Sequence, residues 1–168
     1  MNLVFRKAKS EDFQSIWEII SFAKEVRKNQ GSQQWQDGYP NEETITNDIA
    51  QEYGYVVQNQ NEILGYFALI FDEDPTYKTI EGKWLSDQEY AVVHRVAVSA
   101  NAKGLKLGSR ILSEVEKISM DKKIFSIRID TNFDNIAMLS ILEKLGYQYC
   151  GEIDVRGSAR KAFEKILK

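Results

Sequence analysis

The sequence is poor in the residues that build disulfides and metal sites. Its 168 residues include one cysteine, Cys150, and one histidine, His94. One cysteine cannot form an intrachain disulfide or a paired-cysteine metal site, and one histidine excludes a site made of clustered histidines. A chain of this length can bury enough apolar surface to fold without such links. We therefore predict one domain over residues 1–168 with no metal site.

Excess charge and long apolar runs are also missing. The 22 basic and 25 acidic side chains give a net charge of −3, which argues against a general binder of nucleic acids or anionic membranes. The N-terminus lacks the apolar core of a signal peptide, and stretches such as 66–71 are far shorter than the roughly 18 residues of a membrane span. We expect a soluble cytoplasmic protein with no nucleic-acid or membrane partner.

Hydrophobic periodicity predicts the order β-α-α-β-β-β-α-β-α-β-β. Helices are expected from a cap at Ser10 to Arg27, from Asn41, from Leu107, and over Met138–Leu145 before Gly146. Residues 29–40 and 72–88 are predicted to be loops. The expected strands are 2–8, 53–58, 62–71, 90–98, 125–130, 147–155 and 159–166, of which the last could also be helical.

This order predicts a mixed α/β fold. The hairpin around residues 59–61 makes the N-terminal half of the sheet mostly antiparallel. The strand–helix–strand pattern of the second half requires a parallel pair. We therefore expect a central mixed sheet with helices on both faces.

The most informative segment is the turn 103–108, between the valine-rich strand and the following helix. A helix N-terminus offers unpaired backbone N–H groups and a partial positive charge, which suit a phosphate, and Lys103 and Lys106 add formal charge. The spacing of glycine and lysine fits neither a P-loop nor a dinucleotide-binding fingerprint.

This segment resembles the GNAT superfamily of acetyl-CoA-dependent N-acetyltransferases, where Gln/Arg-x-x-Gly-x-Gly/Ala follows a strand ending in Val. A second family feature, Asn-x-x-(Ala)-x-x-x-Tyr-x-x-x-Gly-Phe, is similar to residues 135–147. The resemblance implies transfer of an acetyl group from acetyl-CoA to a primary amine by direct attack in a ternary complex. It also implies a set of cofactor-binding residues: Val96, Ala97 and Val98 for pantetheine; Lys103, Gly104, Leu105, Lys106, Leu107, Gly108 and Ser109 around the pyrophosphate; and Asn132, Asn135 and Met138.

Two departures from the family pattern affect these expectations. Lys106 replaces the middle glycine of the turn, and phosphate binding is expected to survive if that lysine has a negative φ. Leu142 stands where the family often has a tyrosine that protonates the departing thiolate. Tyr147 is the nearest substitute, Cys150 is a weaker one, and a thiolate is in any case a tolerable leaving group.

Amine attack also needs a base, because an alkylammonium must first lose a proton. His94 has a suitable side chain, shares strand parity with Val96 and Val98, and matches a histidine in one member of the superfamily. The alternative base is a carboxylate acting through water, from Asp72, Glu73 or Asp130.

The acceptor site is less well defined by the sequence. Trp35 and Tyr39 are candidates for its walls, with a core role as the alternative, and Asp72 is a candidate for attracting an amine in an otherwise solvated acidic loop. The acceptor itself is undetermined, and a homodimer stays open. The competing function is an acyl-CoA sensor or partner module without catalysis.

Overall fold

The computed structural model describes residues 2–168 and contains eight strands and four α-helices. The strands are β1 (Leu3–Lys7), β2 (Gly54–Asn59), β3 (Glu62–Ile70), β4 (Glu81–Gly82), β5 (Ala91–Val98), β6 (Ser126–Thr131), β7 (Gln148–Val155) and β8 (Ser158–Ile166). The helices are α1 (Phe13–Asn29), α2 (Glu42–Ala50), α3 (Leu107–Asp121) and α4 (Ile136–Lys144), with 3-10 helices at Ser10–Asp12, Pro75–Thr79 and Ala100–Ala102.

The strands form one mixed sheet in the order β1-β2-β3-β5-β6-β8-β7-β4. The sheet is mostly antiparallel, and β5 and β6 are its parallel pair, with Ala91 opposite Ile127 and Val92 opposite Arg128. The predicted mixed α/β class is therefore confirmed. The segment whose type was left open is strand β8.

The chain divides into two compact units, the first made of the residues up to Leu69 and of Arg95–Ile111. Its apolar core joins α1 residues such as Ile16 and Ile20 to Val56 of β2 and Ala97 of β5. These α1 residues recur at helical spacing, which is why one face of the helix is buried. Asn41 caps α2 by accepting the Thr44 amide, as its position before Glu42 predicts.

The second unit holds Ile70–His94 and Leu112–Lys168. A buried cluster in it joins Tyr77, from the 72–88 segment, to Val92, Ile153 and Ala162. That segment was predicted to be an irregular loop. It instead contains a 3-10 helix and β4, which pairs with β7.

A glycine pair explains why β4 can approach β7. Gly82 lies opposite Gly151, and a Cβ atom at either position would collide with backbone atoms of the other strand. The pairing therefore requires a residue without a side chain on each strand.

The start of α1 differs from the prediction. Ser10 does not cap α1 but begins the 3-10 helix before it, and the carboxylate of Asp12 accepts the amide of Lys9 at 2.8 Å. Arg6 donates to both oxygens of the same carboxylate, at 2.8 and 2.9 Å. Asp12 therefore connects the start of α1 to β1.

Among residues 2–168, no helix is both long enough and apolar enough to cross a membrane.

Candidate active site

The turn before α3 follows a path with two left-handed residues. Gly104 has φ of +83° and Lys106 has φ of +53°. Lys106 therefore does not meet the condition of a negative φ under which phosphate binding was expected to survive, and the lysine adopts a backbone conformation that glycine reaches at no steric cost. Left-handed geometry costs a residue with a side chain about 1–2 kcal/mol. Lys106 nevertheless keeps its N–H donor, because a positive φ changes the course of the backbone and does not remove the N–H group.

Three amides at the start of α3 have no carbonyl partner inside the helix. The first helical bond runs from Arg110 N–H to the carbonyl oxygen of Lys106, 3.2 Å away. The amides of Leu107, Gly108 and Ser109 therefore precede the first intrahelical donor. The amides of Leu105 and Lys106 were also predicted to bind the pyrophosphate, but the amide of Leu105 donates to Ala102 O at 3.1 Å.

The same turn carries positive charge and is anchored by its buried leucine. Lys103, Lys106 and Arg110 are exposed, and residues 103–110 contain no carboxylate. Leu107 is buried, and a Cβ atom at Gly65 of β3 would come within 3.0 Å of its side chain. Gly65 therefore lets α3 begin close to the sheet, with its positive end open to solvent.

An irregularity in β5 separates His94 from the predicted pantetheine strand. Arg95 has φ of +56°, outside the extended region. The parity that relates His94 to Val96 and Val98 assumes a regular strand, so it cannot be carried across Arg95. Beyond this point Ala97 is buried in the first unit, whereas Val96 and Val98 are half-buried.

A buried ion pair holds Arg95 in this conformation. Its guanidinium donates to the two oxygens of Asp48 at 2.8 and 2.6 Å, and it also donates to the Tyr39 hydroxyl. Tyr66 donates to Asp48 at 2.6 Å, and burial raises the pKa of the Tyr66 hydroxyl well above its usual range. The sequence analysis missed this cluster because Asp48 lies 47 residues before Arg95.

In the second unit, His94 is paired with Asp74. The distance from Nε2 to the carboxylate Oδ2 is 3.0 Å, and the side chains are 24% and 17% exposed. Asp74 belongs to the acidic loop that was predicted to be solvated, and the structure instead makes it a partner of the candidate base. The sequence does carry a signal for its ordered position, since an aspartate before Pro75 and two residues before Thr76 is typical of a helix cap.

A second carboxylate near this pair is already engaged. Asp130 accepts the Tyr77 hydroxyl at 2.6 Å and lies 3.9 Å from the guanidinium of Arg160. The Tyr77 ring is centred 6.3 Å from the His94 ring. Burial raises the pKa of the Tyr77 hydroxyl, and Asp130 raises it further. Asp130 is thus held between two donors, which weakens its case as a base acting through water.

A pocket of about 440 Å³ opens beside these residues in the second unit. Its aromatic lining includes Tyr77, Trp84 and Tyr90, and its rim carries the carboxylates Asp72, Glu73, Asp87 and Glu89. Glu73 is paired with Lys78 at 2.9 Å on the surface. Asp72, a predicted acceptor residue, therefore lies on the rim of this pocket.

Arg128 shapes the aromatic side of this pocket. Its guanidinium lies 4.3 Å from the centre of the Trp84 ring and 4.0 Å from that of Tyr90. It donates to the Ser86 carbonyl at 2.6 Å and to the fully buried Glu164 at 3.3 Å. The Arg128 guanidinium therefore contacts both the Trp84 and the Tyr90 ring, and its hydrogen bonds to Ser86 and Glu164 fix its position.

Comparison with known proteins identifies the family. The model of the acetyltransferase (GNAT) family matches residues 10–147, which is most of the chain. This chain belongs to the GNAT family. The GNAT chain is accordingly an acyltransferase, related to proteins described as N-acetyltransferases.

Individual relatives of this GNAT chain cover nearly its whole length. A GNAT-family acetyltransferase from Streptococcus agalactiae is 35% identical, with a TM-score of 0.91 over 99% of this chain and 96% of that one. The uncharacterized N-acetyltransferase YesJ of Bacillus subtilis (strain 168) is 27% identical over 161 residues, 94% of this chain and 86% of its own. At 20% identity, the PaiA N-acetyltransferase of Thermoplasma acidophilum, solved with coenzyme A, shares the fold with a TM-score of 0.72 over 99% of each chain.

The two aromatic residues predicted to line an acceptor pocket of this GNAT chain have core contacts. Trp35 is 6% exposed, with φ of +62°, and lies under the guanidinium of Arg27 at 4.0 Å. Tyr39 is half-buried against the same core and accepts a hydrogen bond from Arg95. Trp35 therefore has the core role that was the alternative prediction, because the turn directs its ring inward although its neighbours in sequence are polar.

The substitute proton donors are enclosed. Tyr147 is 6% exposed, its hydroxyl has no hydrogen-bond partner among the described residues, and burial raises its pKa well above the usual range. Leu142, at the family's tyrosine position, is fully buried. Burial likewise raises the pKa of the Cys150 thiol. A buried hydroxyl or thiol is not positioned to meet a thiolate that arrives from solvent.

Of the other predicted cofactor residues, Asn135 has a structural task at the start of α4. Its side-chain oxygen accepts the amide of Met138 at 3.3 Å, and its side-chain nitrogen donates to the Thr131 hydroxyl at 3.1 Å. The Asn132 side chain donates to the Asp134 carboxylate. Any contact of these residues with a cofactor would have to share or replace these bonds.

Proposed function

We propose that this chain binds acetyl-CoA at the start of α3 and transfers its acetyl group to a primary amine. The observation that carries this proposal is the N-terminus of α3, where three amides without intrahelical partners meet three exposed cations and no carboxylate. A diphosphate needs donors and positive charge at short range, and this turn supplies both. Acetyl-CoA would supply the activated acyl group.

The diphosphate would accept the amides of Leu107, Gly108 and Ser109. The pantetheine arm would lie along Val96–Val98 as an added strand. In support, the residues of β5 that pair with β6 are its first two, Ala91 and Val92. This leaves the later part of β5 as the segment on which an extended ligand could pair.

A charge introduced at Gly108 tests the diphosphate site. Gly108→Asp should weaken acetyl-CoA binding about tenfold or more, because the added anion opposes the phosphates at the helix start. Gly108→Ala adds the same Cβ atom without the charge, and Ser113→Asp adds the same charge one and a half turns further along α3. Both controls should bind within about twofold of the wild type in titration calorimetry. Equal affinity in all four proteins would refute the site.

The amine would attack after losing a proton to His94. The neutral amine forms the N–C bond and the C–S bond breaks, while His94 holds the first proton that came from the ammonium. The nitrogen loses its second proton as the amide forms, and this proton passes through solvent to the departing thiolate. A backbone N–H of the Val96–Val98 strand would stabilise the oxyanion. His94→Ala should lower turnover about 10²-fold while the affinity for acetyl-CoA stays the same. An unchanged turnover number would assign the base role elsewhere.

The acceptor would be a cationic amine held in the pocket of the second unit. All four of its carboxylates are exposed, and Asp72, Asp87 and Glu89 have no cationic partner among the described residues. Both cations of its lining, Lys78 and Arg128, are paired with an acidic residue. Such a rim attracts a positively charged molecule, and a second positive charge on the acceptor adds to that attraction. A diamine should therefore show a higher kcat/KM than a monoamine of equal length with a neutral end.

A thiol-release assay over a panel of amines decides between catalysis and the sensor alternative. Release with cationic acceptors, and a preference for the diamine that shrinks in Asp72→Asn and at high salt, would support the proposal. Acetyl-CoA binding in calorimetry without release for any amine would favour a sensor. A cytoplasmic location stays a prediction, which fractionation would check, and the oligomeric state stays open to measurement by sedimentation.

A further inference from the structure

The contact between His94 and Asp74 fixes the orientation of the imidazole ring. His94 belongs to β5, and Asp74 belongs to the 3-10 helix start that precedes it by 20 residues. Only one nitrogen of the imidazole, Nε2, faces the carboxylate, at 3.0 Å from Oδ2. The ring therefore meets Asp74 in one orientation.

Asp74 is itself fixed on several sides. Its Oδ1 accepts the backbone amide of Thr76 at 3.0 Å and the Thr76 hydroxyl at 2.7 Å. Its own amide donates to the Tyr90 hydroxyl at 3.1 Å. Pro75 stiffens the backbone directly after it. With Oδ1 occupied, Oδ2 is left pointing at the imidazole.

The carboxylate is an anion over the whole working range of an enzyme. Burial by itself would raise the pKa of Asp74, but the hydrogen bonds from His94 and Thr76 outweigh it and bring the pKa to about 2. An ionised carboxylate accepts hydrogen bonds and donates none. The hydrogen between the two side chains must consequently belong to the imidazole.

We propose that Asp74 is a positioning residue that holds neutral His94 in the Nε2–H tautomer and leaves Nδ1 as the proton-accepting atom. This inference rests on the proposed role of His94 as the base. Nδ1 has the free lone pair, so the proton from an ammonium group is transferred to Nδ1. The imidazolium then formed carries its positive charge beside the Asp74 carboxylate, which stabilises it.

The tautomer can be measured directly, because His94 is the only histidine in the chain. In a long-range ¹H–¹⁵N spectrum of the uniformly labelled wild-type protein at high pH, both ring nitrogens belong to one residue and need no assignment. We expect the pattern of a protonated Nε2 and an unprotonated Nδ1. A predominantly Nδ1-protonated ring in the wild type would overturn the inference without any variant.

Variants test whether Asp74 is the cause. In Asp74→Asn the amide can either donate or accept, so the pattern should shift to a mixture or to the reverse tautomer. The neighbouring exposed carboxylate provides a matched control, and Asp72→Asn should keep the wild-type pattern. An unchanged pattern in Asp74→Asn would show that something else fixes the ring.

Kinetics link the tautomer to turnover. Asp74→Asn should lower kcat about tenfold or more and leave the KM for acetyl-CoA unchanged, and it should have no further effect in a His94→Ala background. An additional loss in that background would overturn the positioning role. If His94→Ala keeps full turnover, the base role fails by itself, whereas the spectrum still decides whether Asp74 sets the tautomer.

Discussion

Removing Asp48 should show how much the buried ion pair in the first unit contributes to the free energy of unfolding. Asp48 is 1% exposed and Arg95 is 9% exposed, so neither charge is well solvated. Asp48→Ala leaves the guanidinium buried without its two carboxylate acceptors and leaves the Tyr66 hydroxyl without its acceptor. The loss is therefore larger than that of one hydrogen bond.

The size of the effect follows from these contacts. Deleting one member of a buried ion pair typically costs about 3–5 kcal/mol. An orphaned buried hydroxyl adds about 1–3 kcal/mol, which is not additive with the first loss because the groups share Asp48. We expect a decrease of about 4 kcal/mol in the free energy of unfolding, and a fall in Tm of roughly 8–16 °C.

Urea unfolding at pH 7, followed by the fluorescence of the three tryptophans and by circular dichroism, measures this loss. Tyr66→Phe is the matched control, because it removes one hydrogen bond to Asp48 and keeps the ion pair; it should cost about 1 kcal/mol. A loss below about 1 kcal/mol in Asp48→Ala would refute the reasoning. It would mean that water reaches Arg95 and solvates its charge.

Three further changes should have effects of known sign. The lowered pKa of Asp74 contributes to the free energy of unfolding above the usual aspartate pKa, and this contribution is lost as the pH falls toward 2. Between pH 4 and pH 2 the free energy of unfolding of the wild type should therefore fall more steeply than that of Asp74→Asn. Tyr147→Phe removes a buried hydroxyl without a partner and should raise the free energy of unfolding by about 1 kcal/mol; lower turnover in this variant would restore Tyr147 as a proton donor. Glu164→Gln removes the counter-charge of Arg128, so the KM for the amine should rise while that for acetyl-CoA stays constant; an unchanged amine KM would separate Arg128 from the acceptor pocket.

Local signals were sufficient to place the helices and the turn before α3 along the chain, although they did not predict the start of α1 or the left-handed conformation of Lys106. The spacing of Leu107, Ile111 and Val115 defines the apolar face of α3, and Gly146 ends the α4 region with φ of +86°. These features depend on residues within one or two helical turns of each other. A sequence pattern therefore contains the information needed to predict them.

Contacts between distant segments decided the rest. β4 forms because Gly82 lies opposite Gly151 of β7, and no pattern of neighbouring residues in the sequence predicts that pairing. Trp35 has polar neighbours in sequence, yet the left-handed backbone at this residue directs the ring into the core. Exposure is a property of the packed chain, so neighbours in sequence are a poor guide to it.

The candidate site shows the same division. The sequence alone determined that a glycine- and lysine-bearing helix start follows a valine-rich strand, because those residues are contiguous, and it singled out His94. Only the tertiary structure decided that Asp74 faces Nε2 and that Asp48 holds Arg95 in its left-handed conformation. These partners lie 20 and 47 residues apart, and the direction of a hydrogen bond depends on backbone geometry that forms only when the sheet and the 72–88 segment pack.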